Sequence, residues 1–185
     1  LTDTRYLKGS VADLAAARSA VLLPVLRKDF IVSAYQLYET AVMGADAALL
    51  IVRILEKQAL ADYLSLCREL GLGVLVETHS EGEIDTAIAT GARLVGINNR
   101  NLGTFKTDVE TSARLAGRMG NAAFAVAESG IQSRNDIERL KSAGIHRFLV
   151  GESLVRADSP ASFLKSLVEG PPENASGGAF GGYDG

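Results

Sequence analysis

The sequence predicts an α/β fold, in which helices cover a parallel sheet, and three observations support this prediction. Short apolar runs alternate with amphipathic stretches, and the runs lack the strict alternation of a sheet with one wet face. The 185 residues are 47% hydrophobic and 22% charged, a composition that can fill a core. The predicted strands lie at 21–28, 47–53, 73–77, 94–98, 123–128 and 147–151.

The helices between these strands are indicated by their spacing and by capping residues. The first runs from about residue 11 to 20, and the clearest runs from 56 to 70, where Leu60, Leu64 and Cys67 share one face. This spacing predicts that Cys67 is a buried apolar residue rather than a reactive thiol. Ser80 and Ser133 are expected as N-caps of later helices. Glycines at positions 44, 71, 91 and 144 are expected to close helices.

The even spacing of the strand ends favours a closed (β/α) barrel over an open doubly wound sheet. Polar residues end the predicted strands at positions 28, 53, 77, 98, 128 and 152, at intervals of 21 to 30 residues without a long central crossover. In a barrel all these ends meet at one mouth, where the chemistry takes place. A complete barrel has eight strands in roughly 250 residues. We therefore expect an incomplete barrel of about six parallel strands with outer helices.

Composition and charge exclude several classes of protein. The net charge of −3, from 19 basic and 22 acidic residues, includes no basic block of the kind that binds nucleic acid or an anionic membrane. The longest apolar run is far shorter than the roughly 18 residues of a membrane span. A single cysteine and the lack of a signal-peptide pattern indicate the cytoplasm. We expect one domain over 1–170 and a disordered Gly/Pro-rich tail over 171–185.

Lys28 is the first candidate for chemistry at the predicted mouth. The segment PVLRKDF places it at the end of an apolar strand, where apolar walls and nearby carboxylates can hold its ammonium group charged and directed as an acid. The alternative is a lysine that simply extends its charge into solvent at a strand terminus. The spacing alone leaves both interpretations open.

Glu77 and the amide-rich segment after the next strand add further polar groups. A carboxylate that ends a buried strand must be paired or functional, because an unpaired buried charge is costly; a salt bridge to Lys28 is the structural alternative. The segment GINNRNL places Asn98 and Arg100 where they could orient an anionic substrate or stabilise a turn. His79, two residues beyond Glu77, is expected at the surface.

Two glycine-bearing strand ends predict a phosphate site. The segments VAESGI and FLVGES, which contain Gly130 and Gly151, end the last two strands and lead into helices. In barrels this is the usual place for a phosphate, which backbone N–H groups bind where glycine permits close approach. Glu152 would act through its main chain, since its carboxylate must point away from a phosphate. The usual metal-ligand, P-loop and nucleophile-elbow motifs do not occur, so no metal site is expected.

These motifs resemble those of the indole-3-glycerol phosphate synthase family. The resemblance rests on PVLRKDF, GADAALLIV, VLVET, GARLVGINNRNL, VAESGI and FLVGESLVR, in this order, and extends over about residues 1–169. It implies a (β/α)8 TIM barrel and a carboxy-lyase of tryptophan biosynthesis that needs no cofactor. The implied reaction converts 1-(2-carboxyphenylamino)-1-deoxyribulose 5-phosphate to indole-3-glycerol phosphate, CO2 and water.

The resemblance also implies a role for each candidate residue. Lys28 resembles the general acid that protonates the substrate ketone as the aromatic ring attacks it. Glu77 resembles the carboxylate that assists ring closure and stabilises the cationic intermediate. Asn98 and Glu128 would complete the catalytic set. Substrate contacts are implied for Leu7, Leu49, Arg100 and Ser129, and phosphate contacts for Gly130, Gly151 and Glu152.

One part of the family's pattern has no counterpart in this sequence. The family's first strand carries a further catalytic glutamate and a lysine in a Pro-Ser-Lys context, preceded by an extra helix. The chain thus resembles about the C-terminal three quarters of the barrel, and we expect its two sheet edges to favour self-association or a complementing N-terminal segment. Two other functions stay open: an inactive phosphate-binding half-barrel that needs such a segment, and an aldolase-like barrel in which Lys28 forms a Schiff base.

Overall fold

The structure is a computed structural model that describes residues 1–5, 8–100 and 106–169. Within these residues six parallel strands form one sheet in the order of the chain: β1 (Leu26–Arg27), β2 (Ala47–Ile51), β3 (Gly73–Thr78), β4 (Leu94–Asn98), β5 (Phe124–Glu128) and β6 (Phe148–Leu149). The helices are α1 (Val11–Ala20), α2 (Ala34–Val42), α3 (Lys57–Glu69), α4 (Glu81–Ala89), α5 (Glu110–Ala116), α6 (Arg134–Ser142), α7 (Glu152–Arg156) and α8 (Pro160–Glu169). The tail expected at 171–185 lies outside the described residues.

The inner strands agree with the sequence prediction, and the edge strands are shorter than predicted. The bounds of β3, β4 and β5 match within one residue. Among the described residues β1 and β6 each pair with one neighbour, β2 and β5 respectively, so each backbone has a strand partner on one side. β2 ends at Ile51 because Val52–Ile54 forms a 3₁₀ turn. Arg53 lies in this turn and pairs with Glu83.

Successive residues of each strand point to opposite faces of the sheet and pack in two apolar layers. Leu50 and Val76 face outward and pack with helix residues such as Leu60 in the larger core. Leu49 and Leu75 face the other way, onto the inner face of the sheet. The inner cluster also includes residues of the first and last strands, so the sheet curls around this face. The inner face is the one that carries the predicted site.

The predicted helix signals are confirmed. Ser80 and Ser133, the predicted N-caps, accept hydrogen bonds from backbone N–H groups in the first turns of α4 and α6. Cys67 is completely buried on α3, and burial raises the pKa of its thiol to about 11. The glycines at positions 44, 71, 91 and 144 have φ values from 71° to 89° after their helices. The helices of the described segments are all too short or too polar to cross a membrane.

Candidate active site

Three of the predicted catalytic side chains are joined at the carboxyl edge of the sheet. Lys28 follows β1, Glu77 is the next-to-last residue of β3, and Asn98 ends β4. Lys28 Nζ lies 3.3 Å from Glu77 Oε2, and Asn98 Nδ2 donates a hydrogen bond of 3.1 Å to Glu77 Oε1. Glu77 is 4% exposed, while the side chain of Lys28 is 28% exposed. The carboxylate is thus held from two sides, and the ammonium group keeps access to solvent.

An apolar floor lies beside these polar groups on the same face. Leu49, Ile51, Leu75 and Val126 are its buried members. Ile51 pairs with Glu77 in the sheet, and Leu49 pairs with Leu75, two positions earlier in each strand. Leu49, for which the family resemblance implies a substrate contact, therefore lies on the face that carries Glu77. Leu7, predicted for the same role, is outside the described residues.

Glu128 is the most deeply buried of the predicted catalytic residues. It ends β5 opposite Asn98 and is 1% exposed. Neither of its carboxyl oxygens makes a hydrogen bond within the segments that the structure describes. Burial, together with the negative charge of Glu77, raises the pKa of Glu128 to about 8, although Lys28 acts in the opposite direction. Both causes favour the protonated form of this carboxyl group.

The three charged residues of PVLRKDF have different positions and partners. Lys28 faces the site, whereas Arg27 and Asp29 point outward beneath α2 and pair over 3.0 Å. Arg27 also donates to the Gln36 carbonyl and to the hydroxyl group of Thr40. Burial alone would raise the pKa of Asp29, but hydrogen bonds from Thr2 and Arg27 lower it. Arg27 and Asp29 hold β1 against α2, and Lys28 alone is available for chemistry.

His79 does not lie at the surface, and the sequence prediction for it is wrong. Its side chain is 5% exposed and stands between two carboxylates, with Nε2 at 3.6 Å from Glu77 Oε1 and Nδ1 at 3.4 Å from Glu83 Oε2. The reason is that Glu83, in the first turn of α4, accepts the backbone N–H of His79 and binds Arg53, which draws the loop inward. Burial would raise the pKa of Glu83, but its bonds to His79 and Arg53 lower it.

The amide-rich segment after β4 divides into a site part and a structural part. Asn99 is 3% exposed, accepts hydrogen bonds from the backbone N–H and hydroxyl of Ser112, and donates to the Ser129 carbonyl. It therefore holds the strand end in place, and its side chain is buried. Arg100 donates its backbone N–H to Asn98 Oδ1, and its guanidinium group binds Glu152.

The residues predicted to bind phosphate lie in the loops after β5 and β6. Ser129 and Gly130 both have positive φ, 65° and 75°, so the backbone turns sharply directly after Glu128. Gly151 precedes α7, and an added Cβ there would meet nothing within 4 Å. The carboxylate of Glu152 pairs with Arg100 and Arg156.

The arrangement offers proton donors and a proton acceptor on one face. Lys28 and the protonated carboxyl group of Glu128 can donate, the carboxylate of Glu77 can accept, and Asn98 orients it. Such a set suits a reaction in which an oxygen is protonated and positive charge forms beside a carboxylate. Across the described residues, no three His, Cys, Asp or Glu side chains are grouped so as to hold a metal ion.

Comparison with known proteins identifies the family. The sequence model of indole-3-glycerol phosphate synthase matches residues 1–167. The chain belongs to the indole-3-glycerol phosphate synthase family. The inner-face residues described above therefore lie in a chain of this family, whose TIM-barrel class agrees with the predicted fold.

Curated relatives of this name are 46% to 58% identical to this chain over the aligned residues. The relative from Desulfosudis oleivorans is 58% identical over 168 residues, that from Syntrophobacter fumaroxidans 54% over 167, and that from Variovorax paradoxus 46% over 169. These matches cover 90–91% of this chain but 63–64% of each relative. The chain thus spans less than two thirds of the length of these relatives.

A solved structure described as native KDPGal resembles the fold. Its TM-score is 0.60 at 16% sequence identity, and the match covers 90% of this chain and 78% of that one. At this identity the likeness shows the fold alone. It agrees with the curled parallel sheet of six strands and outer helices.

Proposed function

We propose that the inner face of this chain is the active site of an indole-3-glycerol phosphate synthase. The reaction would close the ring of 1-(2-carboxyphenylamino)-1-deoxyribulose 5-phosphate and release CO2 and water. The observation that carries the proposal is the network in which Lys28 and Asn98 both bind the buried carboxylate of Glu77. This network lies at the carboxyl ends of parallel strands, which is where barrel enzymes place their chemistry.

Ring closure needs an acid at the substrate ketone. The aromatic carbon that bears the carboxylate attacks the ketone carbon, and Lys28 gives a proton to the ketone oxygen, which becomes a hydroxyl group. The ring then carries positive charge. Glu77, 4% exposed and held by two donors, presents a fixed carboxylate to that charge.

Loss of CO2 follows without a proton donor. The bond between the ring and its carboxylate breaks, and the electron pair returns to the ring, which regains its aromaticity. Leu49 and Leu75 line the floor on this face, and both are buried. An apolar floor solvates a carboxylate poorly and therefore favours its departure as neutral CO2.

Dehydration needs a second acid and a base. The hydroxyl group must leave as water, and a proton must leave the carbon beside the nitrogen. The protonated carboxyl group of Glu128 is suited to give the first proton, and Glu77 is suited to accept the second. The side chains thus give two protons and recover one. The one proton consumed overall balances the negative charge of the substrate carboxylate, which leaves as neutral CO2.

The substrate phosphate would bind where β5 and β6 end. The open space in front of Gly151 leaves the backbone N–H groups at the start of α7 accessible to a phosphate oxygen. The Glu152 carboxylate is directed to Arg100 and Arg156, in agreement with a role for its main chain alone.

Gly151→Asp adds charge and bulk at the proposed phosphate site, so we expect a raised KM. An unchanged KM in this variant would contradict the phosphate site.

The catalytic role of Lys28 is tested by a pair of alanine variants. Lys28→Ala should lower turnover on the order of 10²–10⁴-fold, the usual effect of removing a general acid, while the affinity for the phosphorylated substrate changes little. Lys57→Ala, on the exposed first turn of α3, is the control and should leave turnover unchanged. Indole fluorescence reports turnover, and equilibrium binding of the substrate reports affinity. Loss of binding with intact turnover per bound substrate would contradict the role.

We further propose that the two edge strands accept a complementing segment that closes the sheet. β1 and β6 each lack a second strand partner among the described residues. Apolar side chains are exposed near β1, where Leu22 is fully accessible to solvent. Near β6 a cavity of about 400 Å³ is lined by Phe148, Val150 and Leu164 among others. Exposed apolar edges of this kind favour pairing, and the relatives extend beyond the match by about a third of their length.

Hydrogen exchange can test this pairing. The part of the Desulfosudis oleivorans relative that lies outside the match is added to the chain, and protection is followed along both edge strands. We expect β1 and β6 to gain protection on addition of the segment. Self-association of the chain in place of this pairing, detected by light scattering, would contradict the proposal.

A further inference from the structure

Gly96 is a buried residue in the middle of β4, and its backbone does not require glycine. Its φ is not in the left-handed region, and a glycine inside a strand weakens the strand because it has no side chain to pack. The packing around Gly96, and not its backbone conformation, must therefore account for the glycine.

The reason is the space that the Glu128 side chain occupies. A Cβ built on Gly96 would lie 2.9 Å from Cδ of Glu128 and closer still to Oε1, well inside contact distance. On its other side it would lie 3.4 Å from Leu75. Asn98 is the sheet partner of Glu128, so Gly96 is two positions deeper in the neighbouring strand. The Glu128 carboxyl group thus lies against Gly96 on the inner face of the sheet.

We propose that Gly96 is a positioning residue, which provides the slot that holds the Glu128 carboxyl group buried beside Glu77. The existence of the slot rests on the packing around Gly96. Its effect on catalysis rests on the proposed function. Within the slot, Glu128 faces Glu77 on β3, Lys28 after β1 and the apolar side chain of Leu75. Burial and the charge of Glu77 both favour the protonated carboxyl group.

Three variants test this proposal. Gly96→Ala fills the slot and forces the carboxyl group outward. Gly96→Ala with Glu128→Asp shortens the acidic side chain by one methylene and removes the collision. Gly73→Ala, at the start of β3, is the matched control, because an added Cβ there would be 3.4 Å from its nearest neighbour, an ordinary contact.

The first readout is the titration of the Glu128 carboxyl group, followed by infrared or ¹³C spectroscopy without substrate. In the unchanged chain and in Gly73→Ala we expect a midpoint near pH 8. In Gly96→Ala we expect it to fall by about two pH units or more, because the group gains access to water. A midpoint that does not move in Gly96→Ala would overturn the proposal.

The second readout is thermal unfolding. Gly96→Ala should lower the melting temperature more than Gly73→Ala does, and the paired substitution should recover most of the loss. If Gly96→Ala does not fold but the paired variant does, the collision is with Glu128, as proposed. If the paired variant is no better than Gly96→Ala, the slot is not shaped by Glu128 and the proposal fails.

The third readout separates this proposal from the proposed function. With the substrate, Gly96→Ala should lower kcat on the order of 10²–10⁴-fold with a smaller change in KM. A chain that makes no indole product but shows the shifted titration would support the slot and contradict the proposed function. A chain whose kcat and titration are both unaffected by Gly96→Ala would contradict the slot alone.

Discussion

Replacement of Glu128 by glutamine should make the chain more stable at alkaline pH. The pKa of Glu128 is raised by burial, and by the charge of Glu77, from its ordinary 4.5 to about 8. Between these values the folded chain retains a proton that the unfolded chain has released, so stability falls as the pH rises. At about 1.4 kcal/mol per pKa unit, the full penalty is on the order of 5 kcal/mol above pH 8 and absent below pH 4.5. A glutamine side chain has the shape of the protonated glutamate and avoids this penalty.

Urea unfolding between pH 5 and pH 9 measures the effect. We expect Glu128→Gln and the unchanged chain to differ by about 1 kcal/mol or less at pH 5, and the variant to be several kcal/mol more stable at pH 9. Glu69→Gln, at the exposed end of α3, controls for the loss of one carboxylate. A stability difference that does not change with pH would refute the reasoning, because it would show that Glu128 is ionised in the folded chain throughout this range.

Three further predictions follow from buried groups. Arg27→Met should lower the free energy of unfolding in urea by about 3–5 kcal/mol, because it leaves Asp29 buried without its partner. Arg18→Met, which breaks an exposed pair, should lower it by about 1 kcal/mol or less, and equal losses would contradict the prediction. Cys67, with its pKa raised by burial to about 11, should resist iodoacetamide at pH 8 until the chain unfolds, and rapid modification of the folded chain would contradict its burial. His79→Leu should lower kcat on the order of tenfold to a hundredfold with little change in KM, since Glu77 loses a neighbour at 3.6 Å; an unaltered kcat would exclude this role.

Much of the fold could be predicted because apolar runs in the sequence report burial on both faces of a parallel strand. This signal located β3, β4 and β5 within one residue. It overestimated β1 and β6, because the length of an edge strand depends on a neighbour that the local sequence does not specify. The expected reducing compartment, the domain boundary at residue 170 and the tail after it stay predictions.

The site could be predicted in part, because residues that end parallel strands share one edge of a sheet. Strand alternation could also have separated Lys28 from Arg27, which faces α2. The burial of His79 could not be predicted, since it depends on Glu83 of the next helix. The raised pKa of Glu128 could not be predicted either, because it depends on burial and on the charge of Glu77, which lies on a different strand.

Formation of indole product tests the central claim most directly. The chain is mixed with 1-(2-carboxyphenylamino)-1-deoxyribulose 5-phosphate, both alone and together with the part of the Desulfosudis oleivorans relative outside the match, and indole fluorescence is followed. If the face that holds Lys28, Glu77, Asn98 and Glu128 is the active site, the completed assembly produces indole fluorescence. Lys28→Ala then lowers its rate on the order of 10²–10⁴-fold while the substrate still binds. A completed assembly that binds the substrate and makes no indole, or one that makes it equally well with Lys28→Ala, would contradict the account.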